Sequence, residues 1–146
     1  MTELLYPKHE VVFENVYATL LYYPDHKLIH HKFHRPLQGQ ALHDVLNAGA
    51  DLLAERKATK WLSDDRNNAQ LTSEDADWAN REWSPRAVRA GWKYWALVVP
   101  EELVARFSMR RPVDRAYEEG LRIAAFVDTQ EAKDWLESLE PAALPG

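Results

Sequence analysis

Five consecutive polar residues follow a short apolar run, and they are the first place in this chain where chemistry could occur. Asp64 and Asp65 could act as acids or bases, while Arg66, Asn67 and Asn68 could donate hydrogen bonds to an anion or a polar ligand. The apolar run before them predicts a buried strand that ends at these side chains. Because ligands in open α/β sheets bind beyond the carboxyl ends of the strands, the five residues are a candidate ligand-contact site.

The two aspartates do not have the geometry of a catalytic pair. Adjacent residues on a strand point to opposite faces, so Asp64 and Asp65 cannot share a proton. The other predicted strand ends carry Pro100-Glu101 and Asp128-Thr129 without a lysine, which argues against a phosphoacceptor pocket of the receiver type. The chain also contains no glycine-rich phosphate loop and no nucleophile elbow. We therefore assign no catalytic residue and predict no cofactor. The favoured interpretation of the segment is a turn in which Arg66 pairs with a nearby carboxylate.

The histidines invite a metal-site interpretation that their spacing does not support. All six precede residue 44, and His30, His31 and His34 lie on or beside one predicted strand. On that strand His30 and His34 share a face but are about 13 Å apart, at about 3.3 Å per residue, which is too far for one metal ion. His31 points to the other face. We predict no metal site and expect a solvent-facing edge strand with some pH sensitivity.

The tryptophans suggest either an interface or a pocket. There are 6 in 146 residues, and Trp61, Trp92 and Trp95 lie on or beside the predicted central strands. Most tryptophans are expected in the core, but the residue is also enriched at interfaces. If helices cover mainly one face of the sheet, the other face is open. The pattern then predicts a homodimer through the open face, with these three as candidate interface residues, or a ligand pocket lined by that face.

The elements that position these residues follow from hydrophobic periodicity and from helix signals. Thr72 is a predicted N-cap with Asp75 completing a capping box, and Pro85 predicts a kink or break near Trp83. The predicted strands cover residues 11–13, 16–23, 28–33, 60–64, 94–99 and 121–127. The predicted helical regions are 42–53, 72–91, 101–107 with a resumption at 113–117, and a last helix that begins at residue 128 or 129.

This order, β-β-β-α-β-α-β-α-β-α, predicts a single α/β domain over residues 1–146. We expect an N-terminal antiparallel hairpin joined to a mixed, partly parallel sheet, with about four helices packed mainly on one face. Residues 1–10 and 141–146 are expected to be loosely ordered ends. With 46% hydrophobic residues the chain can bury a sizeable core.

The amino-acid composition also limits the cellular compartment and the classes of binding partner that we expect. The chain has no cysteine, which excludes disulfides and thiolate chemistry and fits a reducing cytoplasm. No run of about 18 apolar residues occurs, so no membrane span is expected. The net charge of −5, with only a mildly basic middle, lacks the basic surface that nucleic-acid binding requires.

Several longer segments carry a resemblance to a known family. They are Lys60-Trp61-Leu62-Ser63-Asp64, Trp83-Ser84-Pro85-Arg86-Ala87, the run from Gly91 to Pro100, and Phe126-Val127-Asp128-Thr129-Gln130-Glu131 with the following Ala132-Lys133-Asp134-Trp135-Leu136. In these segments the chain resembles bacterial SpoIIAA-like proteins of the STAS and Sec14-like group. The similarity of element order covers almost the whole chain, and the residue match covers roughly its C-terminal two-thirds. The resemblance implies a STAS-like mixed sheet with helices packed against it and a binding role like that of anti-sigma-factor antagonists.

One departure from the family pattern concerns regulation. Antagonists of this group carry a phosphorylatable serine at the start of the helix after the central strand, in an Asp-Ser-Ser-Gly type motif. This chain has Leu71-Thr72-Ser73-Glu74 there. The resemblance makes Ser73 and Thr72 candidate phosphoacceptors, since a helix N-terminus favours added negative charge. Glu74 and Asp75 would repel a phosphate, and helix capping explains the same residues, so capping is the favoured interpretation.

The sequence thus predicts a non-catalytic cytoplasmic module that binds a protein partner or a small ligand. A small-molecule or lipid-type carrier, or an enzyme with a pocket at the carboxyl ends of the strands, is the alternative.

Overall fold

Six strands form one sheet, and their order in the sheet is their order in the chain. The computed structural model describes residues 3–109 and 120–139. The predicted helix resumption at 113–117 and the predicted loose end at 141–146 lie outside these residues. The strands are β1 (Glu10–Glu14), β2 (Ala18–Tyr23), β3 (Leu28–Phe33), β4 (Lys60–Asp64), β5 (Tyr94–Val98) and β6 (Arg122–Phe126). Strands β1 to β3 pair antiparallel and β3 to β6 pair parallel, so the predicted α/β class with an N-terminal antiparallel part is confirmed.

Helices lie in the crossovers that parallel pairing requires, and a final helix follows β6. They are α1 (Gln40–Arg56), α2 (Ser73–Trp78), a π-helical segment (Ala79–Trp83), α3 (Ser84–Arg89), α4 (Glu101–Met109) and α5 (Thr129–Ser138). Within the described part of the chain, none of them is long and apolar enough to cross a membrane.

The predicted N-cap at Thr72 and the predicted start of the last helix at residue 128 or 129 are both confirmed. The side chain of Thr72 accepts a hydrogen bond from the Asp75 N–H at 3.1 Å, and that of Asp128 accepts one from the Glu131 N–H at 2.8 Å. The predicted break before Pro85 takes the form of the π-helical segment. There the Ser84 N–H donates to the Ala79 carbonyl, five residues back. Because proline has no N–H, the wider turn sits where the regular helical ladder is already interrupted.

Asp75 bonds Thr72 at the start of α2 and makes tertiary contacts as well. Its carboxylate accepts the Gly39 N–H at 2.9 Å and bonds His43 Nε2 at 3.0 Å. Burial alone would raise the pKa of Asp75, but these hydrogen bonds outweigh it and hold the pKa below its ordinary value. The contacts tie the start of α1 to the start of α2.

Both faces of the sheet are covered. The face that we call the tryptophan face carries Ile29, Phe33 and Trp61 and packs against α1, α2, the π-helical segment and α3. The opposite face carries Leu21 and Leu62 and packs against α5 and the N-terminal segment around Leu5. Most of the helical residues therefore lie on one face, yet the second face is not left open.

Strand β3 is central, which corrects the expectation of a solvent-facing edge. It lies between β2 and β4, and His30 and His31 are only 1% and 2% exposed. The expectation failed because a strand rich in histidine and lysine looks like an edge, whereas strand order depends on pairing with residues about thirty positions away.

The N-terminal segment, expected to be loosely ordered, makes specific contacts from residue 3 onward. The Leu5 N–H donates to the Tyr23 hydroxyl at 3.0 Å, and the Tyr6 ring stacks on His26 with centroids 3.8 Å apart. Leu5 itself is buried in the core of the opposite face. These contacts attach the start of the chain to the β2–β3 hairpin.

Candidate functional site

A cavity of about 200 Å³ lies on the tryptophan face toward the carboxyl ends of the parallel strands. Strands β3, β4 and β5 form its floor, α1 and the π-helical segment form its walls, and the loop after β4 contributes Asn68, Ala69 and Leu71. At about 30 Å³ per water molecule, the volume corresponds to about seven waters. Its position matches the rule that ligands of α/β sheets bind beyond the carboxyl ends of the strands.

Four of the six tryptophans line this cavity, namely Trp61, Trp83, Trp92 and Trp95. Their ring centroids are 5.1 to 5.5 Å apart in the contacts between them, at interplanar angles from 48° to 80°. Tilted and edge-to-face arrangements of this kind are favourable for aromatic pairs. The tryptophans thus form a mutually packed aromatic wall.

Every indole N–H of this wall already has an acceptor in the protein. Trp61 donates to His31 Nδ1, Trp83 to the Leu46 carbonyl, Trp92 to the Tyr94 carbonyl and Trp95 to Ser63 Oγ, at 2.8 to 3.2 Å. The four side chains therefore offer ring surface to the cavity rather than free polar atoms.

The π-helical segment positions part of the wall. Ala79 and Trp83 both lie in it and both line the cavity. Trp83 is anchored to α1 through its bond to the Leu46 carbonyl at 2.8 Å. Single π-helical turns occur frequently at functional sites, because the extra residue redirects side chains from the helix.

A chain of hydrogen bonds runs from the core to the polar side of the cavity. The Trp61 indole N–H donates to His31 Nδ1 at 2.9 Å, and His31 Nε2 lies 2.7 Å from Asp65 Oδ1. Since an indole only donates, Nδ1 must be an acceptor, so the ring carries its proton on Nε2 and donates it to Asp65. Both nitrogens of His31 are thus occupied, and the histidine fixes the orientation of the Asp65 carboxylate.

Asp65 is the carboxylate of the cavity. Its side chain is 18% exposed. Burial raises the pKa of Asp65 above its ordinary value, and the contact with His31 only partly opposes this effect. A carboxyl group with a raised pKa beside an aromatic wall is a common feature of functional sites.

Ser63, His31 and Asp65 share the same face but are not connected as a nucleophilic triad. His31 and Ser63 are register partners on β3 and β4. However, the two nitrogens of His31 bond Trp61 and Asp65, and Ser63 Oγ accepts from Trp95 at 2.8 Å. Since no base among the described residues bonds its hydroxyl, the described geometry does not activate Ser63 as a nucleophile. The arrangement is suited to binding rather than to acyl transfer.

Asn68 is the second candidate residue that reaches the cavity. Its backbone N–H closes a turn on the Asp65 carbonyl at 3.0 Å, and its Oδ1 accepts the Leu37 N–H at 3.3 Å. Its Nδ2 is buried and has no hydrogen-bond partner among the described residues. An unpaired buried amide donor costs about 1 to 3 kcal/mol, so a ligand acceptor at this point would be favoured.

The other three candidates, Asp64, Arg66 and Asn67, are occupied by the protein itself. Arg66 binds Asp64 with two hydrogen bonds of 2.9 and 2.7 Å, and Lys32 adds a third at 3.2 Å. Asn67 Nδ2 donates to the Phe33 carbonyl at 3.1 Å. The prediction that the two aspartates point to opposite faces is confirmed, because Asp64 meets Lys32 while Asp65 meets His31 on the tryptophan face. The favoured turn interpretation therefore holds for these three.

The Asp64–Arg66 pair yields a stability prediction. Asp64→Asn should lower the free energy of unfolding by about 2 kcal/mol, because Arg66 and Lys32 lose the buried charge that they share. Burial would raise the pKa of Asp64, but the hydrogen bonds of Arg66 and the charge of Lys32 lower it overall. The contribution is thus present at neutral pH and is lost as the pH falls through the lowered pKa.

Urea unfolding at pH 7 measures this loss. The control is Asp25→Asn, whose pair with Lys8 has both side chains more than 60% exposed and should change stability by less than about 0.5 kcal/mol. Equal losses in the two variants would contradict the assignment of Asp64 as a buried structural charge.

The three tryptophans that the sequence analysis proposed for an interface lie in or against the core of the tryptophan face. Trp61 and Trp92 are 1% and 3% exposed under the helices of the tryptophan face, so they are core residues and offer no surface to a second protein. Trp95 is partly buried against the same core. The alternative made with the interface hypothesis was a pocket lined by the open face of the sheet, whereas the cavity that these residues line lies on the face covered by helices. The homodimer stays a prediction.

The sequence interpretation missed His31, Ser63 and Trp83 as site residues. A signal for two of them existed, since alternation along β4 puts Trp61, Ser63 and Asp65 on one face. Nothing local connects them to His31 or Trp83. For the phosphoacceptor hypothesis, the Thr72 hydroxyl is used as the N-cap, while Ser73 lies exposed at the first position of α2. Phosphorylation stays a prediction.

Comparison with known proteins finds no matching family model, no matching curated protein and no matching solved structure.

Proposed function

We propose that the protein is a small-molecule-binding module whose ligand occupies the tryptophan-lined cavity. The observation that carries the proposal is the cavity itself, in which four tryptophans and four polar side chains meet at the carboxyl ends of three strands; the polar ones are His31, Ser63, Asp65 and Asn68. A mostly apolar pocket with a few fixed polar groups is the usual form of a ligand site. With about 200 Å³, the ligand is small, close to a single ring or a short branched chain.

The hydrogen-bond pattern supports binding over catalysis. Both ring nitrogens of His31 are bonded, and no base in the described part of the chain bonds Ser63, so these polar groups are arranged to orient a ligand rather than to activate a nucleophile. The binding role agrees with the resemblance to the SpoIIAA-like group of STAS and Sec14-like proteins, which we keep as part of the proposal. A cytoplasmic location, as the absence of cysteine suggests, belongs to it as well.

Filling the cavity tests the proposal. Ala79→Leu adds a branched side chain to the wall, and we expect it to weaken the binding of small neutral probes such as benzyl alcohol at least tenfold. Binding is measured by saturation-transfer NMR and by tryptophan fluorescence, since most of the tryptophans line the cavity. The matched control is Ala54→Leu, the same change at an exposed position of α1 outside the cavity.

Circular dichroism and thermal unfolding check that both variants are folded. If folded Ala79→Leu binds the probes as tightly as the unaltered protein, the cavity is not the site. If the unaltered protein binds neither benzyl alcohol nor any of the other small probes described below at millimolar concentration, the proposed function is wrong.

A further inference from the structure

The charge balance inside the tryptophan-lined cavity points to a class of ligand. Asp65 is the only carboxylate among the described residues that line it. Its partner His31 receives a hydrogen bond on Nδ1 from Trp61, so the bonding pattern is that of the uncharged ring. Within residues 3–109 and 120–139, Asp65 therefore has the His31 ring as its hydrogen-bond donor, and no lysine or arginine forms an ion pair with it. A largely buried carboxylate without a counter-charge is unfavourable unless something else supplies the charge.

The cations nearest in sequence do not supply it. Arg66 and Lys32 both bind Asp64 on the opposite face of the sheet, at 2.7 and 3.2 Å. Asp64 adds a second negative charge beside Asp65 and disfavours its ionised form further. Asp64 is therefore paired with an arginine and a lysine, whereas Asp65 is paired with neither.

The wall of the cavity is suited to a cation that is not strongly hydrated. All four indole N–H groups are bonded within the protein, so the tryptophans contribute electron-rich rings and no free donor. Cations bind near aromatic rings, tryptophan best of all, and sites that recognise alkylated ammonium groups are built from such residues.

We propose that the cavity binds a small organic ammonium ion, with the ammonium group paired to Asp65 and its carbon substituents against the tryptophans. The inference rests on the proposed function and names its ligand class. A metal ion is the poorer occupant, because no group of three metal-ligating side chains exists in the described residues. The volume of about 200 Å³ accommodates about seven non-hydrogen atoms.

Two donors in the lining refine this class. The Asn68 Nδ2 is buried without a partner among the described residues, and Ser63 carries a hydroxyl. Both can donate to an oxygen atom of the same ligand. An amino alcohol, with an ammonium group and a hydroxyl oxygen a few bonds apart, fits the acceptor and the donors together.

Two matched pairs of probes test the inference on the full chain. Choline is compared with its neutral carbon isostere, 3,3-dimethylbutan-1-ol, and benzylamine is compared with benzyl alcohol. We expect each cation to bind at least tenfold more tightly than its neutral partner at pH 7, by isothermal titration calorimetry and saturation-transfer NMR. The members of a pair have nearly the same shape, so the difference reports the charge.

A charge-neutralising variant identifies the residue responsible. Asp65→Asn keeps an oxygen acceptor for the His31 N–H, and we expect it to lose at least tenfold in affinity for the cations while the neutral probes change less than twofold. Asp44→Asn is the matched control, because it removes the same charge from an exposed side chain outside the cavity. It should leave all four affinities unchanged.

The outcomes separate this inference from the function on which it rests. If both members of each pair bind equally, or the neutral ones bind better, the cavity is a ligand site but the ammonium inference is wrong. If cation affinity falls equally in Asp65→Asn and Asp44→Asn, pairing with Asp65 is wrong. If no probe binds, the proposed function fails together with the inference. The comparison of probe pairs uses the unaltered protein, so it tests the preference of the cavity for a cation even where a variant does not fold.

Discussion

Gly49→Ala should be the most damaging small substitution in this protein, with a loss of about 2 to 3 kcal/mol in the free energy of unfolding. A Cβ at this position on α1 would lie 2.6 and 2.9 Å from the Trp61 ring carbons Cζ2 and Cζ3, and closer still to Cη2. The ring cannot withdraw, because it is 1% exposed and is held by Trp83, Trp92 and the bond to His31. The gain in helix propensity, about 1 kcal/mol, offsets only part of this overpacking.

A double-mutant cycle checks the cause. Trp61→Phe removes the outer ring atoms that the new methyl group would meet, so Gly49→Ala should be neutral or slightly stabilising in that background. Urea unfolding of the four proteins measures the coupling. If alanine at position 49 costs the same with phenylalanine at position 61, the close approach of α1 to the ring is not the reason, and the packing described for the tryptophan face is wrong.

Acid should destabilise the protein well before its carboxylates are protonated, and His30 should be the main cause. His30 lies 1% exposed on β3, with Nδ1 bonded to the Tyr23 hydroxyl at 3.1 Å and Nε2 unpartnered among the described residues. Burial lowers the pKa of His30 from 6.5 to about 3, an effect that Asp64 opposes and that His31, Lys32 and Arg66 reinforce. Protonation would place an unpaired charge inside the core of the opposite face.

The sign of the pH dependence of stability follows from the pKa of His30 in the unfolded chain and in the folded protein. Between pH 6.5 and about 3 the unfolded chain binds a proton that the folded protein does not bind. Stability is therefore complete above pH 6.5 and falls by about 1.4 kcal/mol per pH unit below it, which amounts to about 2 kcal/mol between pH 7 and pH 5.

Unfolding free energies measured from pH 8 to pH 4 test this expectation. His30→Leu replaces the ring with an apolar side chain and should reduce the slope below pH 6.5 by about one proton, whatever its effect at pH 7. A slope identical to that of the unaltered protein would show that His30 does not take up a proton on unfolding in this range. His30 would then be excluded as the origin of the acid sensitivity.

Local features of the sequence were sufficient for the secondary structure and for much of the geometry within each element. The hydroxyl of Thr72 caps α2 as predicted, and α5 begins at Thr129, one of the two predicted positions, because capping involves residues only three positions apart. Pro85 disturbs the helix where expected, because it lacks an N–H wherever it stands. The opposite directions of Asp64 and Asp65 follow from strand alternation alone.

The polar partners and the burial of the site residues were not available from such local patterns. The same histidine-rich strand serves as an edge or as a centre depending on whether β4 pairs with it, and the pairing brings His31 beside Ser63, thirty-two positions later. From the sequence, Trp61 could be an interface residue or a core residue. It is a core residue because α1 packs over it, and this close packing requires Gly49, twelve positions earlier. Nothing near Asp75 in the sequence indicates that Gly39 and His43 also bond its carboxylate.

The sequence by itself determined the α/β class, the approximate positions of the described helices and the direction of side chains along each strand, because these depend on neighbours within one or two turns of the chain. Only the tertiary structure decided that four tryptophans line a cavity and that Asp65 stands in it bonded to His31, with no lysine or arginine paired to it in the described part of the chain. The reason is physical: a cavity and a charge pairing are properties of the space between elements. That space depends on strand order and helix packing, which no periodicity encodes.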